Sequence, residues 1–187
     1  MNAMNPLSAS ACTGLNRVTV MQGQVKVSIS RDDELTTILG SCVATCLFDA
    51  TAGVGGMNHF LLAAPPSSHD PAKVDVHYGV YLMEILINEM LTRGASKARM
   101  RAHLYGGANL HAGMAPIGSA NAEFARAFLR GEGIPLMRED MGGASARRVD
   151  FRPACGQVRC RSVENRLASE TLPRPRQPSS GGDLELF

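Results

Sequence analysis

The sequence predicts an α/β or α+β protein, a layered sandwich in which two helices flank mixed β-sheets. Three observations carry this. Short apolar or alternating runs recur from Gln24 to Leu62 and again from Ile134 to Ser162, the habit of β-strands. Between them lie two stretches with apolar residues at three- and four-residue spacing, Val76 to Arg93 and a second starting near Ser119 or Asn121. The order is strands, helix, strand, helix, strands, without a clean βαβ alternation. No Gly-x-Gly-x-x-Gly opens a helix after a strand, so a dinucleotide-binding fold is unsupported.

Each element has its own signal. Residues 1 to about 20 are small, polar and aperiodic, which predicts a flexible N-terminal extension. In Gln24 to Ser30, Val25, Val27 and Ile29 alternate with Lys26, Ser28 and Ser30 as in a half-buried strand. Arg31-Asp32-Asp33-Glu34 reads as a charged turn, and Leu35 to Leu39 as a second strand that Gly40-Ser41 breaks. Val43 to Phe48 reads as a buried strand, Asp49 to Gly53 as a turn, and Val54 to Leu62 as the next strand. Pro65-Pro66 punctuates a loop.

In the first helix Tyr78, Tyr81, Leu82, Ile85, Leu86 and Met90 share a face, and Gly94 ends it. Ala98 to Tyr105 alternates as a strand and enters a Gly106-Gly107 loop. The second helix carries Phe124 and Phe128 on one face and stops at Gly131 to Gly133. Ile134 to Met137, Arg147 to Phe151 and Gln157 to Ser162 are the remaining strands. Beyond about residue 168, Pro173, Pro175, Pro178 and Ser179-Ser180-Gly181-Gly182 predict a disordered tail. One domain over 21–168 is expected between flexible ends at 1–20 and 169–187.

Bulk properties narrow the function. The 187 residues suffice for one full core, and a hydrophobic content of 44% with 19% charged residues is ordinary for a globular chain. A net charge of +2 argues against nucleic acid as partner, and the arginines near the C-terminus are interrupted by acids. The most apolar stretch, Val80 to Leu91, contains Glu84, Asn88 and Glu89 and is too short for a membrane span. The first 16 residues lack Lys and Arg, so the basic start of a secretory signal is missing. Five scattered cysteines form no disulfide framework. A cytoplasmic location, where free thiols persist, is the expectation.

The chemistry concentrates in Leu39-Gly40-Ser41-Cys42 and Gly55-Gly56-Met57-Asn58-His59, with Cys42 and His59 separated by 17 positions. A strand, a turn and a strand between them would bring thiol and imidazole together across one hairpin. A free cysteine with pKa about 8.5 is only a few per cent thiolate at pH 7 and needs such a base. Gly40 and Ser41 permit a tight turn whose amides, with that of Cys42, could hold an oxyanion. Thr36 and Thr37 precede the cysteine by six and five positions, and a threonine hydroxyl could orient the imidazole.

Bland readings stand beside this one. Cys42 could be a small buried hydrophobe and His59 a satisfied core histidine. Cys42, Cys46 and His59 could instead be three zinc ligands, although no fourth is evident, and His69, His77, His103 and His111 show no i,i+4 pair. Ser41 is a poor nucleophile candidate because Gly-x-Ser-x-Gly is absent around it.

Taken together, Thr36 to Ala44 and Gly53 to Leu62 resemble the CheD family, the chemoreceptor glutamine deamidases of bacterial and archaeal chemotaxis. Leu86 to Leu91, Tyr105 to Asn109, Ile117-Gly118, Glu139 to Gly143 and Arg147 to Val149 look like further family blocks. The match runs from about Val25 to Val163. The resemblance implies a Cys–His–Thr triad at Cys42, His59 and Thr36, the last selected by the family's spacing of six residues. It implies a fold similar to the catalytic domain of cytotoxic necrotizing factor toxins, and no metal or organic cofactor. The implied reaction converts glutamine side chains of methyl-accepting chemotaxis proteins to glutamate through a cysteine thioester. Receptor methylesterase activity and control by a CheC-type phosphatase occur in some members. The alternative is a non-catalytic module that binds such a phosphatase or a receptor helix.

Overall fold

Alternation along one strand separates the layers. The computed structural model describes residues 14–62, 76–110 and 116–163, with the backbone alone at 76 and 77. Its strands are β1 (Asn16–Thr19), β2 (Val25–Ser28), β3 (Asp33–Leu39), β4 (Val43–Asp49), β5 (Val54–Asn58), β6 (Arg101–Gly106), β7 (Leu136–Met141), β8 (Ala146–Arg152) and β9 (Gln157–Val163). The helices are α1 (Val76–Thr92) and α2 (Ile117–Gly131). Strand β4 is central to a five-stranded sheet of order β2-β5-β4-β6-β7. Its Val43 and Leu47 enter one core, and its Ala44 and Cys46 enter another, as the two-residue period of a strand requires.

The first core joins β4 and β6 to Leu82, Met83, Leu86 and Met90 of α1 and to Ala125 and Leu129 of α2. Both helices therefore cover one face of the five-stranded sheet. The second core joins Ala44, Cys46, Met57 and Tyr105 to Leu35 and Leu39 of β3 and Val149 and Phe151 of β8. It lies between that sheet and a four-stranded one of order β1-β3-β8-β9. Each large side chain buried in these cores contributes about 1.5–3 kcal/mol relative to exposure. Two pairings are parallel, β1 with β3 and β6 with β7, and the others are antiparallel. The result is the layered α+β sandwich with mixed sheets that the sequence predicts.

The differences have physical causes. Residues 16–19, expected within a flexible extension, form β1, an edge strand of four residues that is too short to show a period. Val20 just after it is fully buried, and its N–H donates to Thr36 O at 2.8 Å. Asp33 and Glu34, expected in a turn, belong to β3. Glu34 tolerates burial because the Arg17 guanidinium donates to its Oε1 at 2.8 and 2.6 Å.

The strand expected from Ala98 begins at Arg101, since Lys97–Arg99 is a 3₁₀ turn. Helix α2 starts at Ile117 rather than at Ser119 or Asn121. The strand expected over Ile134 to Met137 runs from Leu136 to Met141 with an exposed acidic pair, Glu139-Asp140, that hides its period. The Pro65-Pro66 loop and the expected tail at 169–187 lie outside the described residues. No helix among the described residues is long and apolar enough to cross a membrane.

Candidate active site

Cys42 and His59 meet through the β4–β5 hairpin. Its antiparallel register pairs Cys46 with Met57 and Leu47 with Gly56, and a further bridge pairs Val43 with Phe60 through reciprocal N–H···O bonds of 2.9 Å. Val43 and Phe60 both enter the helix-side core, so the residues just before them, Cys42 and His59, face the other way, toward the second sheet. Cys42 packs against the inter-sheet core. The two are diagonal cross-strand neighbours, a relation in which Cα atoms lie about 7–8 Å apart and an imidazole can reach its neighbour. Between the two paired stretches the ladder opens, and the buried Asn58 fills the gap by accepting from Thr45 N–H at 2.9 Å.

His59 is oriented from β3. Its Nδ1 lies 2.9 Å from Thr37 Oγ1 and 3.3 Å from Val20 O. The Thr37 hydroxyl donates its single proton to Val20 O at 2.8 Å, so toward His59 it can only accept. Nδ1 therefore carries the ring proton and Nε2 the lone pair. Nε2 is buried and has no hydrogen-bond partner among the described residues.

Thr36 does not take part in this contact. Its hydroxyl donates to Asp150 Oδ1 at 2.8 Å, and Asp150 also accepts from the Arg161 guanidinium at 2.7 Å. Parity decides between the two threonines. Leu35, Thr37 and Leu39 face the five-stranded sheet, with both leucines in the inter-sheet core, while Glu34, Thr36 and Ile38 lie on the opposite face of β3. In this structure Thr37 touches His59, and Thr36, the position that the family resemblance implies, does not.

The Gly40-Ser41-Cys42 loop is tied down by all three of its carbonyls. Gly40 O accepts from Ala108 N–H at 2.9 Å and Cys42 O from Gly107 N–H at 2.8 Å. Ser41 O accepts from Nδ2 of Asn121 at 2.7 Å, and Oδ1 of the same fully buried side chain accepts from Leu62 N–H at 2.8 Å. In a planar trans peptide the N–H points opposite to the preceding C=O. The Ser41 and Cys42 amides therefore turn away from Ala108 and Asn121; that of Ser41 has no partner among the described residues, and that of Cys42 faces its own thiol. Two such donors beside a nucleophile can receive an oxyanion.

Burial opposes charge on both the thiol and the imidazole. Burial pushes the Cys42 thiol up, opposed by its own backbone N–H, and burial pushes the His59 imidazole down, opposed by Val20 O. The thiol donates to Oε1 of the exposed Gln22 at 3.4 Å. His103 on β6 is likewise depressed, chiefly by burial. As pH falls through about 6.5, the unfolded chain binds protons that the two buried imidazoles refuse, so stability declines with acidification. The urea midpoint is expected to drop between pH 7.5 and 5.5, and a His103→Phe variant should show a smaller drop; equal slopes would contradict this.

The zinc reading finds no geometric support. Cys46 is fully buried in the inter-sheet core opposite Met57, and the described residues contain no group of three His, Cys, Asp or Glu side chains able to hold a metal. Sequence reasoning missed Asn121, Gln22 and the clamping role of Gly106-Gly107. Parity along β3 was the available signal for Thr37, whereas nothing local marks Asn121, which lies 80 positions from Ser41.

A family model, CheD chemotactic sensory transduction, matches residues 61–162. The chain is 54% identical to a "probable chemoreceptor glutamine deamidase CheD" of Zymomonas mobilis, over 91% of this chain and 92% of the relative. It is 46% identical to one of Caulobacter vibrioides, over 91% and 93%, and 42% identical to one of Agrobacterium fabrum, over 91% and 96%.

Proposed function

The chain belongs to the CheD family, and from that premise we propose that it is a chemoreceptor glutamine deamidase with Cys42 as nucleophile, His59 as base and Thr37 as the group that orients the imidazole. One observation carries the assignment of roles. His59 presents an unpaired, buried Nε2 on the same face as Cys42, while Thr37 and Val20 hold its other nitrogen protonated.

The chemistry follows from these positions. Nε2 takes the thiol proton as sulfur bonds to the carboxamide carbon of a receptor glutamine. Charge develops on the amide oxygen, within reach of the Ser41 and Cys42 amides. The imidazolium then protonates the amide nitrogen, the C–N bond breaks, and ammonia leaves a thioester. Water gives a proton to Nε2 and attacks the thioester; sulfur departs, regains its proton and frees glutamate. A neutral resting pair suits this order, because the base removes the thiol proton during attack.

The same acyl chemistry would hydrolyse a glutamate methyl ester on the receptor. The cytoplasm is the compartment that suits a free thiol, and a CheC-type phosphatase is the additional partner that the family resemblance suggests.

Intact-mass measurement of a receptor cytoplasmic fragment tests the reading. Each modified glutamine should add about 1 Da with the unaltered protein, and Cys42→Ala should reduce the rate by at least about 10⁴-fold. A mass gain that survives Cys42→Ala would mean another nucleophile. No gain with receptors of the same cell would favour a binding module.

A further inference from the structure

The thiol of the proposed nucleophile already contacts a glutamine. Gln22 offers a side-chain carboxamide, the functional group that the proposed reaction consumes, and its Oε1 accepts the Cys42 S–H at 3.4 Å. His59 Nε2, the nitrogen expected to receive that proton, has no partner among the described residues.

The backbone beneath Gln22 is fixed. Gln24 N–H donates to Met21 O at 3.0 Å, and Gly23 has φ +81°, which together describe a turn of type II with Gln22 at its second position and the obligatory glycine at its third. The turn is fastened to the histidine: Gly23 N–H donates to His59 O at 2.8 Å, and His59 N–H to Gln24 O at 3.1 Å. Gln24 Oε1 closes it further by accepting from Met21 N–H at 3.1 Å. A rigid turn thus holds the root of Gln22 beside the base. The side chain itself is exposed and makes one hydrogen bond among the described residues, a weak one because a thiol is a poor donor.

We propose that the Gln22 carboxamide caps the Cys42 thiol in the free enzyme and swings out when a receptor glutamine enters. The inference rests on the deamidase reading and adds a residue that sets how readily the thiol is reached. A rigid root with a weakly held tip suits a cap of this kind: it keeps the thiol proton hydrogen-bonded yet is displaced by a rotamer change alone.

The test measures alkylation of Cys42 by iodoacetamide, itself a small carboxamide, resolved from the other cysteines by peptide mass spectrometry. Gln22→Ala and Gln22→Met, the second of similar length but without an acceptor oxygen, should each raise the second-order rate about two- to fivefold, the value of one weak hydrogen bond. KM for a receptor fragment should fall by a similar factor while kcat holds within about twofold. Unchanged or slower alkylation in both variants would overturn the proposal. So would a loss of kcat at constant KM, which would make Gln22 a positioning residue. Faster alkylation of both variants with no mass gain on any receptor fragment would leave the cap standing and remove the deamidase reading instead.

Discussion

Replacing His59 with Ala is expected to lower kcat for receptor deamidation by about 10²–10⁴-fold, the contribution of a positioned general base. The mass assay on the receptor fragment reads this directly, with thermal melting as a control because His59 is buried. The neighbouring threonines sharpen the test. Thr37→Val keeps the shape of the side chain but removes the acceptor at 2.9 Å from Nδ1. Val20 O at 3.3 Å then remains as the weaker tether. A lost hydrogen bond of about 1 kcal/mol corresponds to roughly five- to tenfold in kcat. Thr36→Val instead breaks the bond to Asp150 and should lower stability while leaving kcat nearly unchanged. The reverse pattern would restore Thr36 as the orienting residue and would mean that the β3 register shifts when substrate binds.

The second large effect is expected at Gly106, far from Cys42 and His59 in sequence. Its φ is +106°, and a Cβ there would collide with the Cys42 carbonyl oxygen. Gly106→Ala must therefore strain the backbone and push away the carbonyl that Gly107 N–H holds at 2.8 Å. Strain and a disrupted buried hydrogen bond together should cost about 2–4 kcal/mol. Displacing Cys42 relative to His59 should also lower kcat in the molecules that remain folded. Gly131→Ala is the matched control. It lies at the end of α2 with nothing within 4 Å of the added Cβ, so it should be neutral or slightly stabilising. Equal melting points for the two variants would show that the Gly106 contact is unimportant to the fold.

Local sequence was enough for the β4–β5 hairpin. The two strands are joined by a short turn, their apolar patterns are continuous, and Cys42 and His59 fall at its open end. Cys42, His59 and the Gly40-Ser41 turn were therefore legible without knowledge of any other element. The two helices and most of the strands were legible for the same reason, since each carries its period within its own length. β1 was not, because four residues at a sheet edge hold too little alternation to be read.

The third partner needed more than spacing. Alternation along Leu35-Thr36-Thr37-Ile38-Leu39 divides the threonines between two faces. Which face meets His59 depends on the four-stranded sheet packing against the five-stranded one through Leu35 and Leu39. The same holds for the state of the imidazole. Its tautomer is set by Val20 O, supplied from the residue after an edge strand, because that carbonyl takes the only proton Thr37 can give. The Gly40-Ser41-Cys42 loop is likewise held by Asn121 from α2 and by the amides of Gly107 and Ala108. The sequence by itself determined which residues could do the chemistry, since thiol, imidazole and flexible turn are properties of residue type and local pattern. Tertiary structure alone decided which ring nitrogen carries the proton, which threonine touches the imidazole and what clamps the loop, because those contacts come from sheet order and inter-layer packing between segments distant along the chain.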